Sequence, residues 1–245
     1  MEHAKLLAHR GAVYMDRTQL REIEPPPATE TWKPIKHSFF VETIHEELER
    51  RHIGISYENY AVQRRNNMLF GVMVLNWLQT DEFAAALAFR HSNDMSEAVK
   101  MYAGVRVFSC DNMLLSGDEI ILHRRHSKRF DLVAALPEAL DRYHNGELML
   151  QQYIEDMKKT TVNERGVKHY IFDIFRKKIV PVRLFHPVVH DWYAKYPHRD
   201  DIGTEWQLLN CFTAHTKKLP PGPQMRAMVR LGKYFGLGKP ELLPQ

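Results

Sequence analysis

The 245 residues are 44% hydrophobic and 11% aromatic, enough for a substantial core in one large domain or two small ones, which excludes general disorder. The formal net charge is +4, with fourteen histidines, and this balance permits a polyanionic partner without requiring one. Cys110 and Cys211 are far apart and outside CxxC spacing, which excludes a disulfide scaffold or a cysteine-rich zinc module and agrees with a reducing cytoplasm.

The longest apolar run, MLFGVMVLNWL, is too short for a membrane span. The segment MEHAKLLAHRGAVYMDR has no continuous apolar core or small-residue cleavage site, so a signal peptide is not expected. Residues 1–36 read as an extended arm. The four prolines of IEPPPATETWKP fix φ and remove backbone donors, so Ile23 to Pro34 is expected to run over the surface. A helix is expected to begin near Ser38, with Phe40, Ile44 and Leu48 recurring every fourth residue, and to end at Gly54.

SYENYAVQ and MLFGVMVLNW read as strands flanking RRNN, where Asn66 and Asn67 tolerate the positive φ of a tight hairpin. EFAAALAFRHS fits helix or strand, and its short strand-like neighbours favour strand. MSEAVKMYA is expected to be a short helix. GVRVFSC and DEIILHRRH read as strands joined by a DNMLLSG turn.

Beyond Phe130 the apolar period becomes helical. DLVAALPEALDRYHNGELMLQQYIEDMKK carries Leu132, Leu136 and Leu140 on one face, with Pro137 a kink or break. A second helix should start after Thr161 or Asn163, and Pro181 and Pro187 punctuate the connection to a short HDWYAKY helix. TEWQLLNCFTAHTKK is capped by Thr204 and places Trp206, Leu209, Phe212 and Thr213 on one face. A last helix follows in PPGPQMRAMVRLGKYFGLG. Strands followed by helices imply an α+β fold, a mostly antiparallel sheet in the N-terminal half covered on one face, or extended, by a helical C-terminal half. The expected division is an arm at 1–36, a single domain at 37–236 (strand-rich over 54–129, helical over 130–236) and a tail at 237–245.

PPPATETWKPIKH, RHSND, GVRVFSCDN, IILHRRH and TEWQLLNCFTAHT lie between residues 25 and 216, and the likeness they carry covers roughly residues 18–235. On these segments the chain resembles the phage/plasmid-like proteins grouped as domain of unknown function 932. The family shows a small residue where Cys211 stands, so no role passes to that cysteine. The resemblance implies a mobile-element origin and a bacterial cytoplasm. By association only, it raises DNA-related work or the countering of host defence.

Several constellations could carry chemistry. Arg90, His91, Asp94, Cys110, Asp111, Asn112, His123 and His126 form one dense polar stretch. Cys110 could be a nucleophile or metal ligand beside a histidine, but it equally fills a sheet while Asp111 and Asn112 make an Asx turn, and no acid, base and oxyanion signature accompanies it. On a strand, His123 and His126 point to opposite sides and cannot share a metal, and the histidine spacings match no zinc motif. Asp94, Asp111, Asp118 and Glu119 would need to converge for a two-metal nuclease, whereas turns already explain them. No metal and no cofactor are expected.

The basic residues carry more weight. Arg64 and Arg65 sit at a hairpin tip, and Arg106, Arg124, Arg125, Lys128 and Arg129 border strands, where they could track a phosphate backbone. Tyr57, Tyr60, Phe70 and Phe89 are candidate stacking surfaces if exposed. Lys158-Lys159, Arg176-Lys177-Lys178 and Lys217-Lys218 suit helix C-termini. The leading expectation is a non-enzymatic phage or plasmid accessory protein that binds nucleic acid through backbone contacts, single-stranded DNA in recombination, annealing or replication. A second reading is a factor that sequesters a host or phage protein, through the arm and the Met- and Trp-bearing helices, or that forms a homo-oligomer. A third is a metal-dependent nucleic-acid enzyme using His91, Cys110, Asp111 and His123 or His126. No membrane partner is expected.

Overall fold

The computed structural model describes residues 12–79, 83–107, 112–196 and 202–236, with side chains described there except at 77–79, 107, 112–120, 144–150, 202 and 221. The first half holds β1 (Val13–Met15), α1 (Arg17–Arg21), α2 (His37–Arg50), β2 (Ile55–Gln63), β3 (Met68–Gln79), β4 (Phe83–Ser92), β5 (Val99–Val107) and β6 (Asn112–Arg124). The second half holds α3 (Leu132–Lys159), β7 (Thr161–Asn163), α4 (Glu164–Arg176), a 3-10 turn (Val182–Leu184), α5 (Phe185–Lys195), β8 (Ile202–Thr204), α6 (Glu205–Thr216) and α7 (Pro221–Tyr234). β1 to β6 pair in chain order as one antiparallel sheet, and β7 pairs with β8. The fold is α+β, sheet first and helices after.

Strand alternation sorts the core. Ala85, Leu87 and Phe89 of β4 face Phe40, Ile44 and Leu48 of α2 and Leu132, Leu136, Leu140 and Tyr143 of α3. Ala84, Ala86 and Ala88 face the other way, with Phe70, Val72 and Val74 of β3 and with Met225 and Met228 of α7. The sheet is therefore covered by helices on both faces rather than one. α7 runs close along β6, its Met225 and Met228 completing the layer over the alanine row, while Ala227 and Leu231 join the helical core of α3 to α6. All described residues of β4 are buried, and this two-sided burial is why its sequence reads ambiguously.

Four local expectations change. MSEAVKMYA is no helix, because Val99, Met101 and Ala103 alternate into the core as the first half of β5. In DNMLLSG, residues 112–117 belong to β6, with Asn112 opposite Val107 and Leu115 opposite Gly104. α3 runs unbroken through Pro137, whose missing N–H leaves the carbonyl of the exposed Val133 to solvent. Pro187 lies inside the first turn of α5, a position where a proline costs no hydrogen bond, so that helix starts at Phe185.

α2 ends before Gly54. His52 takes a left-handed φ of 57°, its N–H reaches the Glu49 carbonyl (2.9 Å), and Ile53 N–H reaches that of Leu48 (2.9 Å). Gly54 serves close approach instead, since a Cβ there would sit 2.3 Å from the Asn76 amide. The β2–β3 turn spans residues 64–67, and its left-handed positions fall on the two arginines and Asn66 rather than on Asn66 and Asn67. Arg64, Arg65 and Asn66 are all left-handed, with φ of 51°, 54° and 65°.

Within residues 1–36, Val13–Met15 joins the sheet edge beside Tyr60–Val62, and α1 buries Leu20 behind a capping box of Asp16 and Gln19. Most of residues 22–36 is irregular and solvent-facing. No helix among the described residues is long and apolar enough to cross a membrane.

Candidate nucleic-acid interface

The antiparallel register brings three turns to one end of the sheet. A single row across the strands runs Ala61, Phe70, Arg90, Lys100 and His123. Just beyond it lie the β2–β3 turn with Arg64 and Arg65, the β4–β5 connection with Asp94 and Glu97, and the segment after β6 with Arg124, Arg125, Lys128 and Arg129. Trp32 bridges Ser127 and draws Lys33 to the same end. Arg64 is engaged by Asp94 at 3.4 Å and Lys36 by Glu24. Lys33, Arg65, Arg124, Arg125, Lys128 and Arg129 are exposed, with no ion-pair partner among the described residues. Partial burial, together with the charges of Lys100, Arg124 and Arg125, holds the His123 imidazole below its ordinary pKa, as expected of a positive local field.

RHSND builds the scaffold of this end. Ser92 donates to the Asp94 carboxylate, and Ser96 N–H donates to it at 3.0 Å. Although burial alone would raise it, these bonds take the Asp94 carboxyl down to about 2. The Asn93 amide clamps the arm, accepting from Ile35 N–H (3.0 Å) and donating to the Ile35 carbonyl (2.9 Å).

His91 is fully buried among His37, Phe40 and His126. His37 Nε2 lies 2.7 Å from the Asn66 carbonyl, which can only accept, so that nitrogen carries the proton. His37 Nδ1 is then the acceptor, and His91 Nε2 donates to it across 3.1 Å. The remaining ring nitrogen of His91, Nδ1, has no hydrogen-bond partner, so a second proton there would be buried and unpaired. Burial, then the neighbouring His37 and His126, hold His91 well below the usual histidine range. Burial takes His126 to about 4 against the opposing pull of the Lys33 backbone. The stack is neutral at pH 7 and supports the arm through Trp32, whose ring lies 6.2 Å from that of His126. Among the described residues no group of three or more His, Cys, Asp or Glu side chains could hold a metal ion.

Arg90 lies on the opposite face, buried against the Phe70 ring (5.8 Å) and paired with Glu97. Burial lowers the pKa of its guanidinium; Tyr102 opposes this, while Arg226 and Arg64 add to it. Arg90 is therefore an internal strut, whereas His123 on the same row is exposed. His126 stacks on His91 and lies on the other side from His123.

Between the arm and the segment after β6 lies a cleft of about 500 Å³, within the range of small-ligand sites. Its walls are Lys33, Pro34, Ile35, Lys36 and Phe39 on one side and Ser127 to Leu132 on the other. Phe39 leaves 49% of its surface exposed, while its neighbour Phe40 is fully buried. The only acid lining the cleft, Asp131, accepts Ala134 N–H as the cap of α3.

Other named residues do not join this site. Arg106 is at the far end of the sheet, buried over the Tyr57 ring at 5.0 Å. Tyr60, Phe70 and Phe89 are buried and Tyr57 is half-buried under that guanidinium, so none offers a free stacking face. Cys110 and Asp111 lie outside the described residues, as do the side chains of Asn112, Asp118 and Glu119; Asn112 itself opens β6. A groove of about 1170 Å³ lies at that far end. There Glu58 is held by His45 (2.7 Å), Tyr60 (2.9 Å) and Arg17 (3.3 Å), and Glu46 and Glu49 line the groove beside Glu42, which Arg21 pairs. The lysine and arginine runs at helix ends behave as expected: Lys158 pairs with Glu155, and Arg176 and Lys177 with Asp173.

Sequence reasoning missed Phe39, Lys33 and Lys36. One signal was present, because Phe39 is out of phase with the Phe40, Ile44, Leu48 stripe and must point away from the core that stripe defines. Comparison with family models, curated proteins and solved structures found no match for this chain, so the reading of this end of the sheet rests on its own geometry.

Proposed function

We propose that this protein is an accessory factor of phage or plasmid origin that binds nucleic acid through its phosphate backbone, in recombination, annealing or replication. The observation that carries the reading is the gathering, at one end of the sheet, of six exposed cations from three separate segments without acidic partners among the described residues. Cations held apart on a rigid sheet end keep their charge available to a polyanion, because no internal ion pair must be broken first. The sequence carries no helix-turn-helix or finger signature for reading bases, so backbone contacts dominate.

The test is fluorescence anisotropy with labelled single- and double-stranded oligonucleotides across a salt series. Binding should weaken linearly on a log–log plot. Reversing charge at Arg124, Arg125, Lys128 and Arg129 together should reduce the slope by about 3, at roughly 0.7–0.9 per phosphate contact. Absence of binding to both forms at low salt refutes the proposal.

A second reading, a protein-binding surface, draws on a different observation. Trp192, Trp206, Met225 and Met228 are buried and offer no surface, but Phe172, Val182 and Phe185 on α4, the 3-10 turn and α5 are exposed. Loss of a defined captured partner on Phe172→Ser and Phe185→Ser supports it. Capture that ignores those substitutions removes it.

A further inference from the structure

Resting on the backbone-binding reading, we infer that the cleft between the arm and the β6–α3 segment takes one unstacked base of a single strand, on Phe39, with the adjoining phosphates on Lys33, Lys128 and Arg129. Among the described residues, Phe39 is the one aromatic of the exposed large apolar side chains that lies on the basic end of the sheet. A phenyl face left half in water on α2, beside Phe40 that fills the core, contributes little to stability there. It does present a π-surface on one wall of a cleft that is also lined by cations.

The proportions agree. A volume of about 500 Å³ accommodates a nucleotide but not a stacked duplex, and the cleft is walled by chain on both sides. Its rigidity comes from below. The Asn93 clamp on Ile35, the Trp32–Ser127 bridge and the buried histidine stack fix the arm wall, and the capped start of α3 fixes the other. A base can enter only if it is free of its partner strand, so the cleft makes this end selective for single strands. The surrounding cations, by contrast, attract any nucleic acid. The shared chemistry is a nucleobase with its phosphates, whether the strand is DNA or RNA.

The experiment compares wild type, Phe39→Ala, Phe39→Trp and the double variant Lys128→Glu/Arg129→Glu on four ligands: a 20-mer single DNA strand, its RNA equivalent, the same DNA strand with abasic sites, and the DNA duplex. Phe39 is half exposed, so Phe39→Ala should melt as wild type does, and thermal unfolding checks this. Wild type should bind the base-bearing single strands more tightly than the duplex or the abasic strand. The DNA and RNA arms identify which sugar is preferred. Phe39→Ala should lose about tenfold on single strands and leave duplex binding within about twofold. Phe39→Trp should retain affinity and show fluorescence quenching on base-bearing strands only. Lys128→Glu/Arg129→Glu should weaken all four ligands. If Phe39→Ala binds single strands as wild type does, the base cleft is overturned while salt-dependent binding stands. If wild type binds none of the four, the backbone reading falls with it.

Discussion

Lowering the pH from 7.5 to 5.0 should destabilise the fold through its buried histidine stack. In the unfolded chain each histidine titrates near 6.5; in the folded protein burial holds His126 at about 4 and His91 well below 6.5. Between these values the unfolded state binds more protons than the folded one. Stability is therefore complete above the unfolded pKa and is lost as pH falls toward the folded values. At pH 5 the His126 shift alone costs about 2 kcal/mol, and His91 and His37 act in the same direction. For a chain of this size the His126 contribution alone is a fall of roughly 5 °C in melting temperature. Carboxylates such as Asp94, with its pKa near 2, stay ionised in this window and do not contribute to the slope. Urea unfolding at both pH values, followed by circular dichroism, measures the difference. His126→Phe keeps an aromatic ring between Trp32 and His91 and removes one proton site, so its loss between the two pH values should be smaller by about 2 kcal/mol. Equal losses in the two proteins, or no loss in wild type, would refute the reasoning.

Two further outcomes follow from backbone geometry. A Cβ at Gly71 would lie 2.2 Å from the fully buried Phe89 ring, so Gly71→Ala should lower urea stability by about 1–3 kcal/mol, with partial recovery on adding Phe89→Leu. Arg65 holds φ at 54°, a conformation that glycine adopts without strain. Arg65→Gly should raise unfolding free energy by up to about 1 kcal/mol while reducing the salt slope of nucleic-acid binding by about one unit, a split that a purely structural arginine would not produce.

The sheet was legible because its strands carry the period-2 pattern and are separated by turn residues, and the later helices because Asn163 and Thr204 cap them as their types predict. MSEAVKMYA misled because its helix-favouring Glu, Ala, Lys and Met outweigh, on intrinsic propensity, an alternation that only the finished sheet rewards. DNMLLSG misled because Asp, Asn and Gly signal turns wherever they stand, while pairing with β5 claims residues 112–117. The coverage of the second face was illegible, since which helix folds back over a row of alanines is decided by long-range packing. At the candidate site the cations were readable one by one, but not their partners. Arg64 and Arg65 look equivalent in the chain, yet Asp94 reaches one and not the other. Arg106 reads as part of the basic cluster until the register carries it to the opposite end.

The cleft has no local existence. Its walls come from residues 33–39 and 127–132, almost a hundred positions apart; Asn93 holds the first through Ile35, and the Trp32–Ser127 bridge ties the two together. Neither wall can form before the strands between them have paired, so the cleft belongs to the folded state alone. A ligand that occupies it binds that state and not the unfolded chain, and thereby draws the folding equilibrium toward the native side by mass action. The clamp that holds the arm is thus also the link through which ligand concentration becomes a determinant of how much of the chain is folded.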